Sequence, residues 1–200
     1  MSIGQMKKIA LFASGSGSNV QAIVDSVQKG EIPAEVAILI CDQPDAYVIK
    51  RAEKLQIPVF AFRAKDYSSK AEFEREIVNK LHEAKVDYIF LAGYMRLIGD
   101  TLLHAYAGKI VNIHPSLLPA FPGKDAIGQA FAARVKITGV TVHFVDEGMD
   151  TGPIIDQESV RIVNDDTKES LQQKIQQVEH ELYPRVIRQL LTNAAEEEVK

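Results

Sequence analysis

The sequence holds a single cysteine, Cys41, and no tryptophan. A lone cysteine excludes an internal disulfide and any cysteine-based zinc site. Its setting, AILICD, is the end of an apolar run, where a thiol serves as a small core hydrophobe. Runs of lysine and arginine are also missing, and the formal net charge is -4. That is the reverse of the basic face that binds nucleic acid. No apolar stretch is long enough to span a bilayer, and the opening MSIGQMKKIALFASGSGSN runs from two lysines into a Gly/Ser loop without a cleavage-site pattern. No His/Asp/Glu cluster has metal-ligand spacing, so no metal is expected. Repeats, linkers and low-complexity segments are absent too. A cytoplasmic enzyme is the simplest reading of these absences, and small-molecule substrates, neither nucleic acid nor membrane as a partner, and a monomer or homodimer are expected. With 200 residues, 46% of them apolar, the chain can bury a core as one domain over 1–200.

What is present is an alternation of two periods. Near-continuous apolar runs at 9–13, 36–41, 59–62, 88–92 and 110–113 read as strands covered on both faces, as in a parallel sheet. Between them, helices are expected over 19–28, 46–55, 68–85 and 101–107. In the third of these, Phe73, Ile77 and Leu81 form one apolar stripe. After residue 113 the pattern changes. HPSLLPAFPGKDA is too rich in proline for regular structure, and a helix over 126–135 follows. TGVTVHFV and PIIDQESVRIV then read as two antiparallel strands joined by the turn DEGMDTG. A last helix starts at Thr167, with Leu171, Ile175, Val178 and Leu182 on its apolar face. Pro184 should kink or interrupt it, and NAAEEEVK should end as a frayed tail. The whole is an α/β, doubly wound, mostly parallel sheet with a C-terminal antiparallel extension and helix.

Two segments carry chemistry. The loop ASGSGSN (13–19) joins the first strand to the first helix, so the amides of Gly17, Ser18 and Asn19 point at the helix N-terminus, where a phosphate binds well. The dinucleotide pattern G-x-G-x-x-G fails at Val20, and the Walker pattern fails outright. A plain βα turn with a Ser or Asn cap is the competing reading. The second segment is IVNIHPSLLPAFPG (110–123). Asn112 and His114 lie two apart on a strand end and share a face, and Pro115 restricts His114 to an extended backbone. An amide donor beside an imidazole suits acyl transfer, the amide holding the oxyanion. Asp150, in DEGMDTGP (146–153), is the candidate to orient the ring, with Asp146, Glu147 and Asp125 as competitors. Gly148 and Gly152 suggest a turn shaped for close approach rather than for packing.

At these residues the chain resembles the folate-dependent phosphoribosylglycinamide formyltransferases. The matching stretches are SGSGSN (14–19), LAGYMRLI (91–98), IVNIHPSLLP (110–119), GVTVHFVDEGMDTGPII (139–155) and QVEHELYP (177–184). The resemblance implies a Rossmann-like formyltransferase fold and 10-formyltetrahydrofolate as co-substrate. It also implies Asn112, His114 and Asp150 as catalytic residues. Gly17, Ser18, Asn19 and Glu179 would hold the ribonucleotide and its phosphate, although Glu179 taken alone reads as a surface residue. Met95, Arg96, Leu97 and Ile98 would line the folate pocket, with Asn112 reaching it, and Asp146, Glu147, Gly148, Met149 and Asp150 would close over the pterin. Lys70 falls where relatives often carry an arginine near the folate. Relatives with a histidine after the Pro-Gly differ from Lys124-Asp125-Ala126-Ile127 here. His143 reads as structural, a neighbour of the site.

The expected reaction is direct attack by the amine of 5-phosphoribosylglycinamide on the formyl carbon, giving the N-formyl ribonucleotide and tetrahydrofolate, a step of purine (IMP) synthesis. Three rivals stand beside it. A formyltetrahydrofolate hydrolase would usually carry an extra N-terminal domain, and a methionyl-tRNA formyltransferase a C-terminal one. A non-catalytic nucleotide-binding module would use the Gly/Ser loop and Asp42.

Overall fold

The computed structural model describes residues 6–197. Seven strands form one sheet in the order β3-β2-β1-β4-β5-β6-β7. They are β1 (Lys7–Ala13), β2 (Ala34–Cys41), β3 (Val59–Ala61), β4 (Tyr88–Leu91), β5 (Ile110–His114), β6 (Ile137–Phe144) and β7 (Ile154–Arg161). β1 to β5 are mutually parallel, and β6 and β7 continue the sheet antiparallel. The expected doubly wound sheet with its antiparallel extension is what forms.

Alternate residues of each strand feed two cores. Ile9, Leu11 and Ala13 face one, with α1 (Ser18–Gln28), α2 (Tyr47–Lys54) and α6 (Lys168–Glu197). Ala10 and Phe12 face the other, with α3 (Lys70–Glu83) and α4 (Asp100–Ala105). This two-sided burial is why the strands read as unbroken apolar runs. The stripe on α3 is buried as expected, with Phe73, Ile77 and Leu81 at 5%, 0% and 0% exposure. Each contributes about 2 kcal/mol of apolar burial. α3 starts behind Ser69, whose Oγ accepts from the Glu72 amide, while Glu72 bonds back to the Ser68 amide. The short α5 (Ala126–Ala132) is capped by Asp125, which accepts from the Gly128 amide.

Three expectations change here. Pro184 lies inside α6 without interrupting it. It removes one amide from the ladder, but the turn around it is held by Tyr183, Val186 and Ile187, all fully buried. The Tyr183 hydroxyl also reaches the carbonyls of Leu91 and Val111 at 2.9 and 3.0 Å. The tail expected to fray is helical as far as Glu197, and 198–200 lie outside the described residues. α1 has no Ser or Asn cap. Its N-cap is Gly17, in the left-handed region at φ 75° with no side-chain cap bond.

Candidate active site

The carboxyl ends of the parallel strands β1, β4 and β5 lead into the anion loop, the 95–98 loop and the Asn112–His114 pair, the place where open α/β sheets bind ligands. β5 ends in Asn112 and His114, on one face of the strand. Its antiparallel partner β6 sets His143 opposite Asn112 and Thr141 opposite His114. The Asn112 amide nitrogen lies 3.3 Å from His143 Nε2, and His143 Nδ1 lies 2.8 Å from the Phe144 carbonyl. A carbonyl only accepts, so Nδ1 carries the proton, and Nε2 accepts from Asn112. Burial, the largest influence, holds the His143 pKa below its ordinary value, which favours this neutral ring. His143 thus fixes which way the Asn112 amide faces and leaves its second N–H unused. From sequence alone His143 is only a structural neighbour of the site. The pairing register that makes it more is a long-range property.

His114 is 5% exposed. Its Nε2 lies 2.8 Å from the Phe121 carbonyl, and its Nδ1 lies 3.4 Å from Asp150 Oδ2. Both ring nitrogens therefore face acceptors, an arrangement that suits a ring donating from both ends. Asp150 is the carboxylate that meets His114. Its other oxygen lies 3.8 Å from His143 Nε2, and Oδ2 accepts from the Gly123 amide at 2.7 Å. The competitors are engaged elsewhere. Asp146 accepts from Gly148 N and Thr151 Oγ1, Asp125 pairs with Lys168, and Glu147 is exposed. Asp150 and Phe121 both have left-handed backbones, at φ 57° and 53°. Each costs on the order of 1 kcal/mol for a non-glycine residue, a strain that proteins hold at functional sites.

The loop between His114 and Phe121 is rigidly built. Ser116 Oγ donates to the Ala120 carbonyl, and Thr141 Oγ1 donates to the Ser116 carbonyl while accepting from Leu118 N. Leu118-Pro119 is a cis peptide. The glycines of the 146–152 turn serve the chain itself. A Cβ on Gly152 would lie 1.8 Å from the Phe144 carbonyl oxygen, so the close approach expected of this turn is made to the backbone of β6.

The residues expected at a phosphate gather at the start of α1. Gly17 needs glycine twice over, for its positive φ and because a Cβ would meet Val48 Cγ2 at 2.4 Å. Arg51 Nε donates to the Ser16 carbonyl at 2.8 Å, which steadies the loop. The first amides of α1, from Ser18 and Asn19, have no partner within the helix and carry its positive end. Asn19 is 8% exposed and donates to Glu179 Oε2 at 3.3 Å, while its own Oδ1 is buried without a partner. Glu179 is not the surface residue that its isolated reading suggests: it is 9% exposed, and burial pushes its carboxyl up to about 7. A cavity of about 420 Å³ opens beside Ser18, Gln21, Arg51 and His180.

On the other side lies the loop after β4. Met95 and Leu97 are exposed at 72% and 47%. Ile98, expected in the pocket lining, is instead 4% exposed and packed in the α3–α4 core, because it anchors the loop where α4 begins. Arg96 is turned to Asp42 rather than to open space, with Nε 2.8 Å from its Oδ2. Met149, 56% exposed, is the apolar face of the opposite turn and lies against Gly123. Lys70 is exposed, and its aliphatic stem passes Gly99 at the loop's far end. Among the described residues, no group of three histidine, cysteine, aspartate or glutamate side chains is placed to hold a metal ion. No helix among them is long and apolar enough to cross a membrane.

An amide donor and a histidine–carboxylate pair at the carboxyl end of an inner strand of a doubly wound sheet, flanked by an anion loop, define a class. Residues 7–187 match the family model described as "Formyl transferase", and the chain belongs to that family. Within it the chain is 60% identical over 186 residues to the phosphoribosylglycinamide formyltransferase of Bacillus subtilis (strain 168), spanning 93% of this chain and 95% of that one. Among solved structures, glycinamide ribonucleotide transformylase 1 from Geobacillus kaustophilus is 64% identical with a TM-score of 0.92, covering 94% of this chain and 100% of the other. The phosphoribosylglycinamide formyltransferase from Bacillus halodurans is 58% identical with a TM-score of 0.92, covering 94% and 97%.

Proposed function

We propose that this chain transfers the formyl group of 10-formyltetrahydrofolate to the amine of 5-phosphoribosylglycinamide, in the cytoplasm, as a step of de novo purine synthesis. The observation that carries the reading is the contact of His114 with Asp150 beside Asn112, which His143 links to them, in a chain 60% identical to a phosphoribosylglycinamide formyltransferase. Neither the hydrolase nor the binding-module alternative has a comparable observation behind it. Val20, where a dinucleotide loop needs glycine, is 1% exposed and part of the core.

The exposed apolar side chains of Met95, Leu97 and Met149 fit a flat pterin, and the first amides of α1 fit a phosphate. The folate supplies a formyl group already bound to nitrogen and open to attack. Asn112 donates its free N–H to the formyl oxygen, where negative charge develops. His114 brings a second donor when it exchanges its bond to the Phe121 carbonyl for that oxygen. Asp150 holds the ring in place and balances its charge, and the same pair can take up the proton that the amine sheds and return it to the departing nitrogen. Asn19 and Glu179 border the anion loop and meet the ribonucleotide there.

The test uses a formyl donor labelled with carbon-13 and follows the label by NMR. Label appearing as a formamide on the ribonucleotide supports the reading. Label appearing only as formate overturns it.

A further inference from the structure

The geometry points to Asp42 as a positioning residue for the formyl donor, one that fixes the wall formed by Met95 and Leu97. This rests on the proposed folate subsite. Asp42 follows β2, and in the sheet order β2-β1-β4-β5 it stands three strands from the reacting residues of β5, a separation of roughly 14 Å at sheet spacing. It is too remote for the chemistry, yet its side chain is only 2% exposed.

Both of its oxygens are used, and both uses bear on the loop after β4. Oδ2 accepts from Arg96 Nε at 2.8 Å, with Gln43 Nε2 at 3.4 Å. Oδ1 accepts from the Ser14 hydroxyl, and the Ser14 oxygen accepts in turn from the Met95 amide at 2.9 Å. One carboxylate therefore holds a side chain and, through a hydroxyl, the backbone of consecutive residues. The Arg96 guanidinium lies 5.8 Å from the Phe73 ring centre, which closes its remaining freedom. A second buried carboxylate, Glu74, secures the far end of the same segment by accepting from Gly99 N at 2.7 Å and Leu102 N at 3.3 Å.

Between these two anchors the loop offers its apolar side chains to solvent. A loop held in one shape before the ligand arrives loses little ordering entropy on binding. An ion pair with its carboxylate buried and its arginine 36% exposed is a poor way to gain stability, since an apolar pair of similar volume does as well. What an apolar pair could not do is hold Ser14 and Arg96 at once.

The experiment compares Asp42→Ala, Arg96→Ala and the double variant with the parent enzyme. KM for the formyl donor, KM for the ribonucleotide, kcat and Tm are measured for each. Asp42→Ala should raise the formyl-donor KM about tenfold, at least five times more than it raises the ribonucleotide KM. The double variant should be no worse than the more impaired single one, and Asp42→Asn, which keeps one acceptor oxygen, should recover part of the loss. A formyl-donor KM unchanged in a folded, active Asp42→Ala enzyme overturns the proposal, as do equal rises in both KM values or additive effects. If Asp42→Ala does not fold, Ser14→Ala and Asp42→Asn give the same comparison. Failure of the folate reading itself is separate, since the parent enzyme would then show no formyl transfer.

Discussion

Asn112 on β5 and His143 on β6 face each other across an antiparallel register, with amide nitrogen and ring Nε2 3.3 Å apart. The ring can accept that amide only while Nε2 is unprotonated. The His143 pKa is held below its ordinary 6.5 by burial first, against the opposing pulls of its bond to Phe144 and of Asp150. A depressed histidine supports the fold above pH 6.5, and that support is lost as pH falls through its folded value. Protonation would also set two donors against each other and turn Asn112 away. His143→Ala should lower kcat by up to about 10²-fold, the scale of a catalytic group misplaced by about 1 Å, with both KM values nearly unchanged. The acid limb of the parent kcat profile should lie below pH 6.5 and change in the variant. An unaltered acid limb would remove His143 from the account.

His114→Ala and Asp150→Asn address the pair itself. Each should reduce kcat by about 10²–10⁴-fold, the range for loss of a proton-transfer or oxyanion group. Asp150→Asn should fold normally, because asparagine tolerates the left-handed backbone seen at φ 57°. Rates with Tm for both variants decide the matter, and near-parental turnover in either one would contradict its role.

Glu179 gives a prediction about stability. Burial raises its carboxyl to about 7, so it is protonated in the folded chain at pH values where the unfolded chain has ionised it. The benefit is whole below about pH 4.5, the ordinary value, and is lost as pH rises to about 7. Glu179→Gln should therefore be more stable than the parent at pH 8, by up to about 3 kcal/mol, and similar to it near pH 4.5. Urea unfolding at the two pH values measures the difference. The same variant should raise the ribonucleotide KM through Asn19, its hydrogen-bond partner.

Gly17→Ala tests the anion loop. A methyl there meets Val48 Cγ2 at 2.4 Å on a backbone with φ 75°. Overpacking and left-handed strain together should cost about 2 kcal/mol or more. The ribonucleotide KM should rise more than the formyl-donor KM, and comparison of the two separates a loop effect from general loosening.

Much of this was legible in the sequence because it is written in local periods. The strands buried on both faces read as unbroken apolar runs, and the α3 stripe read at spacing four. Asn112 and His114 were found because two residues on one strand end need no tertiary knowledge. What stayed hidden depends on register and on distant partners. His143 gains its place only when β5 and β6 pair, and Glu179 is buried only because α6 lies along α1. Ile98 reads like its neighbours Met95 and Leu97, yet the start of α4 turns it inward. Pro184 suggested a break, which the buried residues on either side of it prevent. Asp42 gave no sign of its two-loop grip, since Ser14 and Arg96 are 28 and 54 residues away.

The most direct test of the central claim follows formyl-donor consumption and formylated product together, with and without 5-phosphoribosylglycinamide. Consumption should require the ribonucleotide and match product one for one. Formyl donor consumed equally fast without the ribonucleotide would contradict it.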